Sequence, residues 1–209
     1  KNLATAHRGI HNKLSVGILL GYARYLKEER ITPERAVYVH ITSFEEVGHG
    51  ASYVPADVRE VVAVDMGCIG LDLTCTEYDV SICAKDSGGP YDYLLTSHLI
   101  DLAKENGLKY AVDIYPRYSS DVGATLHGGN NVKGALIGPG VNASHGMERT
   151  HYSALENTIN LILLYLAARS NLWSRQKKKS PSPRGWTFFM RFEKRRGVSL
   201  PVHSGPAPR

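Results

Sequence analysis

Apolar positions Leu14, Ile18, Leu19, Tyr22 and Leu26 recur at helical spacing, which predicts a helix over 12–29 that Thr32-Pro33 closes. Shorter apolar runs come after it. Residues 36–43, AVYVHITS, are rich in β-branched side chains and brief, which predicts a strand. REVVAVDMG, 59–67, is apolar on both faces, as in the interior of a parallel sheet. YDVSICA, 78–84, alternates and predicts a strand nearer a sheet edge. Pro90 opens a predicted helix over 90–106, with Leu94, Leu95, His98, Leu99 and Leu102 on one face and Asn106-Gly107 as its stop. KYAVDIYP, 109–116, predicts a strand. SDVGATLHGG, 120–129, predicts a short helix with Ser120 or Asp121 at its N-cap. VKGALIG, 132–138, predicts another strand, and HYSALENTINLILLYLAARS a long final helix.

Strand and helix alternate, so the expected fold is α/β, a three-layer sandwich whose mostly parallel sheet has helices on both faces. Ligands in such sheets sit at the carboxyl ends of strands. The polar residues at those ends are Glu45 and Glu46, Asp65, the stretch 117–121, and the stretch 142–145.

Composition bears mainly on the ends of the chain. The 209 residues are 43% hydrophobic and 22% charged, which suits one ordinary core. The longest apolar run, TINLILLYLAA, falls short of the roughly 18 residues that span a bilayer, so no membrane partner is expected. The first residues, KNLATAHRGIHNK, have no apolar signal core. Cys68, Cys75 and Cys83 lack CxxC spacing and read as small buried hydrophobes, reduced in a cytoplasm. The net charge of +5 is uneven: residues 169–209 hold eleven Lys or Arg against one acid, Glu193. That Pro-rich segment reads as a disordered basic tail, set apart from a unit spanning 1–168. Its aromatics are clustered rather than interleaved with the basic residues, so nucleic acid is not the expected partner.

Glu45 and Glu46 carry the sharpest chemical signal. Two adjacent carboxylates in a loop are commonly just solvated, but at a buried strand end they are costly unless a cation compensates them, and a cation permits a division of labour. One glutamate ligates it while the other takes a proton from water. Asp65 adds an oxygen donor and His145 a nitrogen donor, a set that suits zinc, cobalt or manganese.

SFEEVGHGAS, VVAVDMG, YSSDVGAT and NASHGMERTH, in this order, resemble successive motifs of the tetrahedral and glutamyl aminopeptidases, dinuclear metallopeptidases whose members are sometimes misnamed endoglucanase or cellulase M. The resemblance covers about residues 8–168 and implies a zinc-exopeptidase-like fold. It implies that Glu45 is the general base, Glu46 and His145 ligands of one metal, and Asp65 a ligand of the other. It places Asp121 and Gly123 beside the substrate, a peptide with a free N-terminus. It also implies a homo-oligomer and a divalent cofactor, zinc or cobalt, two per site.

The departures shape the expectation further. Family members begin with a segment bearing a His-x-Asp ligand motif and a β-rich insert. This sequence matches only the region beyond that insert, so it reads as the C-terminal half of an incomplete catalytic domain. In IHNKLS, His11 and Asn12 stand where the family has two aspartates, the first of which bridges the metals. An imidazole binds one metal and does not bridge as a carboxylate does. His11 is then a third ligand of the first metal, fewer than two metals are expected, and the aminopeptidase activity is impaired. The alternative is a catalytically inactive remnant that serves as a binding or assembly module. Of the other histidines, His49 reads as a turn residue, His40 as part of a strand, His98 as packed, and His151 as a helix start that orients or caps.

Overall fold

The strands of the centre send apolar side chains to opposite faces, and that sets the layers. A computed structural model describes residues 4–7, 10–33 and 35–167. In order the elements are β1 (Ala4–His7), α1 (Ile10–Glu28), a 3-10 turn (Glu45–Val47), β2 (Glu60–Val64), β3 (Gly67–Cys68), β4 (Val80–Asp86), β5 (Gly89–Pro90), α2 (Tyr93–Glu105), β6 (Tyr110–Tyr115), α3 (Asp121–His127), β7 (Lys133–Val141), β8 (Glu148–His151) and α4 (Tyr152–Ala167). The basic segment 169–209, expected to be disordered, lies outside the described residues.

In β7, Ala135 and Ile137 face one core while Leu136 faces the other. Val80 and Ile82 of β4 join the first core and Cys83 the second. Helices α1, α2 and α4 cover the first face through Ile18, Tyr22, Leu95, Leu99, Leu161 and Ile162. Helix α3 covers the second through Val122. Burying a side chain such as Leu99 contributes roughly 1.5–3 kcal/mol. The three-layer α/β arrangement is therefore present.

The sheet is mixed. β2 and β3 run parallel to β7, and β6 parallel to β4, while β4 is antiparallel to β7 and to β5. Three of its five strand pairings among the described residues are parallel, as the continuous apolar runs suggest, and both antiparallel pairings involve β4. β4 lies one strand in from an edge: β7 and β6 flank it, β6 pairs with no other strand among the described residues, and Ser81 of β4 is buried against the Tyr115 hydroxyl at 2.6 Å.

Local starts and stops mostly agree with the sequence pattern. Ser120 caps α3 by accepting from the Val122 amide at 3.3 Å. Asn106-Gly107 ends α2, with Gly107 at φ 65°. Pro90, however, lies in β5 opposite Lys85, and α2 begins at Tyr93 because Asp92 accepts the Leu95 amide at 2.8 Å and caps it. His98 is exposed rather than packed in the core, and its ring makes a T-shaped contact with Tyr165, centroids 6.4 Å apart. His151 ends β8 and caps α4, its Nδ1 accepting the Ser153 amide at 3.1 Å.

The largest correction concerns 36–43, which forms no strand, and His40 within it is exposed. β-branched composition suits a pleated backbone, but a strand also needs a neighbour to complete its hydrogen bonds. Among the described residues none pairs with this segment.

Candidate active site

Glu45 and Glu46 sit on the 3-10 turn, whose exit is made by Gly48 at φ 80°, its amide donating to the Glu45 carbonyl at 2.9 Å. Left-handed backbone of this kind favours glycine. The flanks of the turn are fastened to α3. Thr42 donates its hydroxyl to Asp121 Oδ2 at 2.7 Å, and Thr125 donates to the Ala51 carbonyl at 2.8 Å. Phe44 stacks on His49 with ring centroids 5.0 Å apart, so His49 closes the loop on itself.

Asp65 occupies the break between β2 and β3. Its amide donates to the Ile137 carbonyl at 3.0 Å, and its Oδ1 accepts the Met66 amide at 2.7 Å. Gly138 makes this break possible, since a Cβ there would lie 1.3 Å from the Asp65 carbonyl oxygen. His145 comes from the turn after β7 and has φ 62°, with Ala143 at 56°. Such backbone costs a non-glycine residue on the order of 1–2 kcal/mol. Glu148 helps hold the turn: its Oε1 accepts the His145 amide at 3.2 Å.

These segments meet. Glu45, Glu46, Asp65 and His145 line one cavity of about 290 Å³. Its apolar lining comes from the second core through Met66, Cys68, Tyr115 and Leu136, so the cavity lies over a sheet face as well as at strand ends. Gly48, Asp86, Arg117, Tyr118 and Ser119 complete it.

Other sequence candidates are placed differently. Asp121 and Gly123 are on α3 and are not among the residues lining this cavity; Asp121 faces Thr42 instead. His11 is the second residue of α1, and its side chain lies outside the described residues. Among the described residues no three His, Cys, Asp or Glu side chains converge closely enough to hold a metal ion. The donor types suit a divalent metal, but the described set does not by itself form a metal centre.

Two buried carboxylates beside the site residues were not singled out from sequence. Asp86 lines the cavity and accepts from the Tyr91 hydroxyl and, at 2.8 Å, from the Gly88 amide. The Tyr91 phenol is pushed up by burial first and by Asp86 second. Glu148 is fully buried behind His145. Asp86 lies in none of the motifs quoted above, and Glu148 lies within NASHGMERTH without being marked by it; the signal for each lies in through-space neighbours. All three cysteines are buried and free, and burial pushes the Cys68 thiol up to about 11 and those of Cys75 and Cys83 up to about 12. They are inert thiols, as expected of small hydrophobes. No described helix is long and apolar enough to cross a membrane.

An α/β sandwich with a carboxylate-and-histidine cavity over the sheet is the class to which fold and site point. Comparison narrows it. The sequence model of the M42 glutamyl aminopeptidases matches residues 2–161, and the chain belongs to that family. The protein YhfE of Bacillus subtilis (strain 168), named as a putative aminopeptidase, is 42% identical over 160 residues, which are 76% of this chain and 46% of YhfE. The TET1 peptidase of Pyrococcus horikoshii superposes with a TM-score of 0.67 at 20% identity, over 78% of this chain and 50% of that one. A TET aminopeptidase from Thaumarchaeota archaeon SCGC AB-539-E09 also gives 0.67 at 18% identity, over 83% of this chain and 52% of that one. At these identities the structures show the shared fold alone. The chain spans about half the length of the relatives it matches.

Proposed function

We propose that residues 1–168 form part of the catalytic domain of a metal-dependent aminopeptidase, which removes N-terminal residues from peptides. The observation that carries this reading is the meeting of Glu45, Glu46, Asp65 and His145, from three separate segments, around one cavity. Glu45 is the general base: it takes a proton from the water that attacks the scissile carbonyl carbon and returns it to the leaving amine nitrogen as the C–N bond breaks. Glu46, Asp65, His145 and His11 are the proposed donors to a divalent metal, zinc or cobalt, with fewer than two ions expected because His11 and Asn12 replace carboxylates. Asp121 and Gly123, which the resemblance puts beside the substrate, are kept as proposed substrate-side residues although they do not line the cavity, and Asp121 bonds Thr42 in the loop that bears the glutamates.

The cytoplasm is the proposed location, on the support of three free thiols, and self-assembly the proposed state, on the support of the TET1 peptidase, described as forming a tetrahedron or an octahedral shell. The two substitutions in α1 favour a second reading, a catalytically inactive module that keeps the fold. One experiment separates them. Purified chain is supplied with zinc or cobalt and assayed on a panel of aminoacyl chromogenic substrates, beside Glu45→Gln. Weak activity that the substitution abolishes supports the peptidase. Activity indifferent to the substitution sinks the mechanism, and none in either protein favours the inactive module.

A further inference from the structure

A second cavity, of about 240 Å³, opens at the other end of the strands from the glutamate pair. Glu60 begins β2 and Lys133 begins β7, and both line it. Asp65 follows the far end of β2, roughly 16 Å away at the usual rise of a strand. None of the residues lining this cavity lines the first one.

The floor is apolar and the rim is cationic. Leu95 and Tyr165 are buried beneath it, and Leu94, 66% exposed, forms its lip. His98 adds an aromatic wall against Tyr165. Glu60 is already engaged: its Oε2 accepts from Arg35 Nη1 at 3.1 Å and from the Tyr165 hydroxyl at 2.7 Å. Arg35 also lies over the Tyr165 ring, 5.6 Å from its centroid. These contacts fix the guanidinium, while its other N–H groups have no partner among the described residues. Lys133 is exposed, and among the described residues its ammonium makes no hydrogen bond or ion pair. With His98 neutral, two cations face one carboxylate, and one positive charge is left over.

We infer that this cavity binds a small organic monocarboxylate, with its anionic end on Lys133 and Arg35 and its apolar body against Leu94, Leu95 and Tyr165. Charge-assisted hydrogen bonds to ammonium and guanidinium hold the one end, and burial of apolar surface holds the other. The surplus charge matches a single carboxylate. A phosphate dianion would bring a second negative charge up to Glu60, where it is repelled. The volume is below the ~300–1,000 Å³ of sites for drug-sized ligands, which sets the size of the guest. A free amino acid and the carboxyl-terminus of a peptide both present this chemistry. The inference does not depend on the proposed peptidase activity.

The test titrates the full 209-residue chain with phenylacetate and follows amide shifts by nuclear magnetic resonance. Saturable shifts are expected at amides 94–98 and 133–134, with a Kd of roughly 1 mM, as suits so small a ligand. Phenylacetamide lacks the charge and acetate lacks the ring, and each should bind at least ~10-fold more weakly. Lys133→Ala should weaken phenylacetate binding by about 10-fold and leave the unfolding midpoint in place, whereas Lys133→Arg should keep the binding. Whichever of phenylalanine and N-acetylphenylalanine binds more tightly names the source, a free amino acid or a peptide terminus. The proposal is overturned by the absence of saturable shifts at 94–98, by phenylacetamide binding as well as phenylacetate, by inorganic phosphate displacing phenylacetate at equal concentration, or by unchanged binding in Lys133→Ala.

Discussion

The Thr42 hydroxyl donates to Asp121 Oδ2 at 2.7 Å, and through this bond the loop bearing Glu45 and Glu46 is tied to the first turn of α3. The other carboxylate oxygen, Oδ1, is buried without a partner among the described residues, so Asp121 depends on Thr42. Thr42→Val should cost about 1–2 kcal/mol, the value of a hydrogen bond to a charged group in a partly buried place. Thr42→Ser should restore most of it. Urea midpoints give the comparison, and faster amide exchange at 44–50 in the valine variant alone would locate the damage in the loop. Unchanged exchange would show that Asp121 does not hold it.

Gly138→Ala should be more severe. The new Cβ would fall 1.3 Å from the backbone oxygen of Asp65, where no flexible side chain can give way. A loss of about 3 kcal/mol is expected, at the upper end of overpacking effects. A variant as stable as the parent would mean that the break between β2 and β3 is not built as described.

Asp113 is a stability residue on the same sheet. It is buried and accepts from the Thr74 amide and hydroxyl, both at 2.9 Å, and from the Cys75 amide at 2.8 Å. Asp113→Ala strands these donors and should cost about 3 kcal/mol in thermal or urea unfolding. Asp113→Asn should be milder, because its oxygen can still accept.

Stability should fall as pH rises above about 9, the ordinary value of a free thiol. Cys68 is pushed up to about 11 and Cys75 and Cys83 to about 12, each chiefly by burial, so the folded chain keeps these protons where the unfolded chain releases them. The stabilising effect is complete below the unfolded value and disappears as pH approaches 11–12. Buried Tyr91 and Tyr115, raised for the same first cause, act in the same direction. Urea midpoints at about pH 8 and about pH 10 should differ, and replacing Cys83 by Ala should shrink the difference even if it lowers both values.

The double change His11→Asp and Asn12→Asp should tighten zinc binding, measured by titration calorimetry on the folded chain. It returns two carboxylates to the start of α1, where the family resemblance puts them. Unaltered zinc affinity would remove His11 from the proposed ligand set.

Much of the fold was legible because it is local. The spacing from Leu14 to Leu26, the Ser120 cap and the Asn106-Gly107 stop are readable since each depends on residues a few positions apart. The EEVG pair was legible as chemistry because adjacent like charges need a reason. Strand direction was not legible, for β4 is buried on both faces in either sense. Nor were Asp86 and Glu148, whose importance lies in Tyr91 and His145, neighbours only after folding or through a tight turn.

By itself, then, the sequence determined the helices to within a few residues at each end, the Ser120 cap, the strands at 60–64, 80–86, 110–115 and 133–141, and the residue types that line the cavity. Tertiary structure alone decided which strands pair, that Asp121 turns to Thr42, and that 36–43 stays unpaired among the described residues. The physical reason is one of range. Caps and periodicity act within a turn or two, whereas a strand is completed only by a partner distant along the chain. Where the described residues contain no such partner, the apolar side chains from Val37 to Ile41 remain exposed.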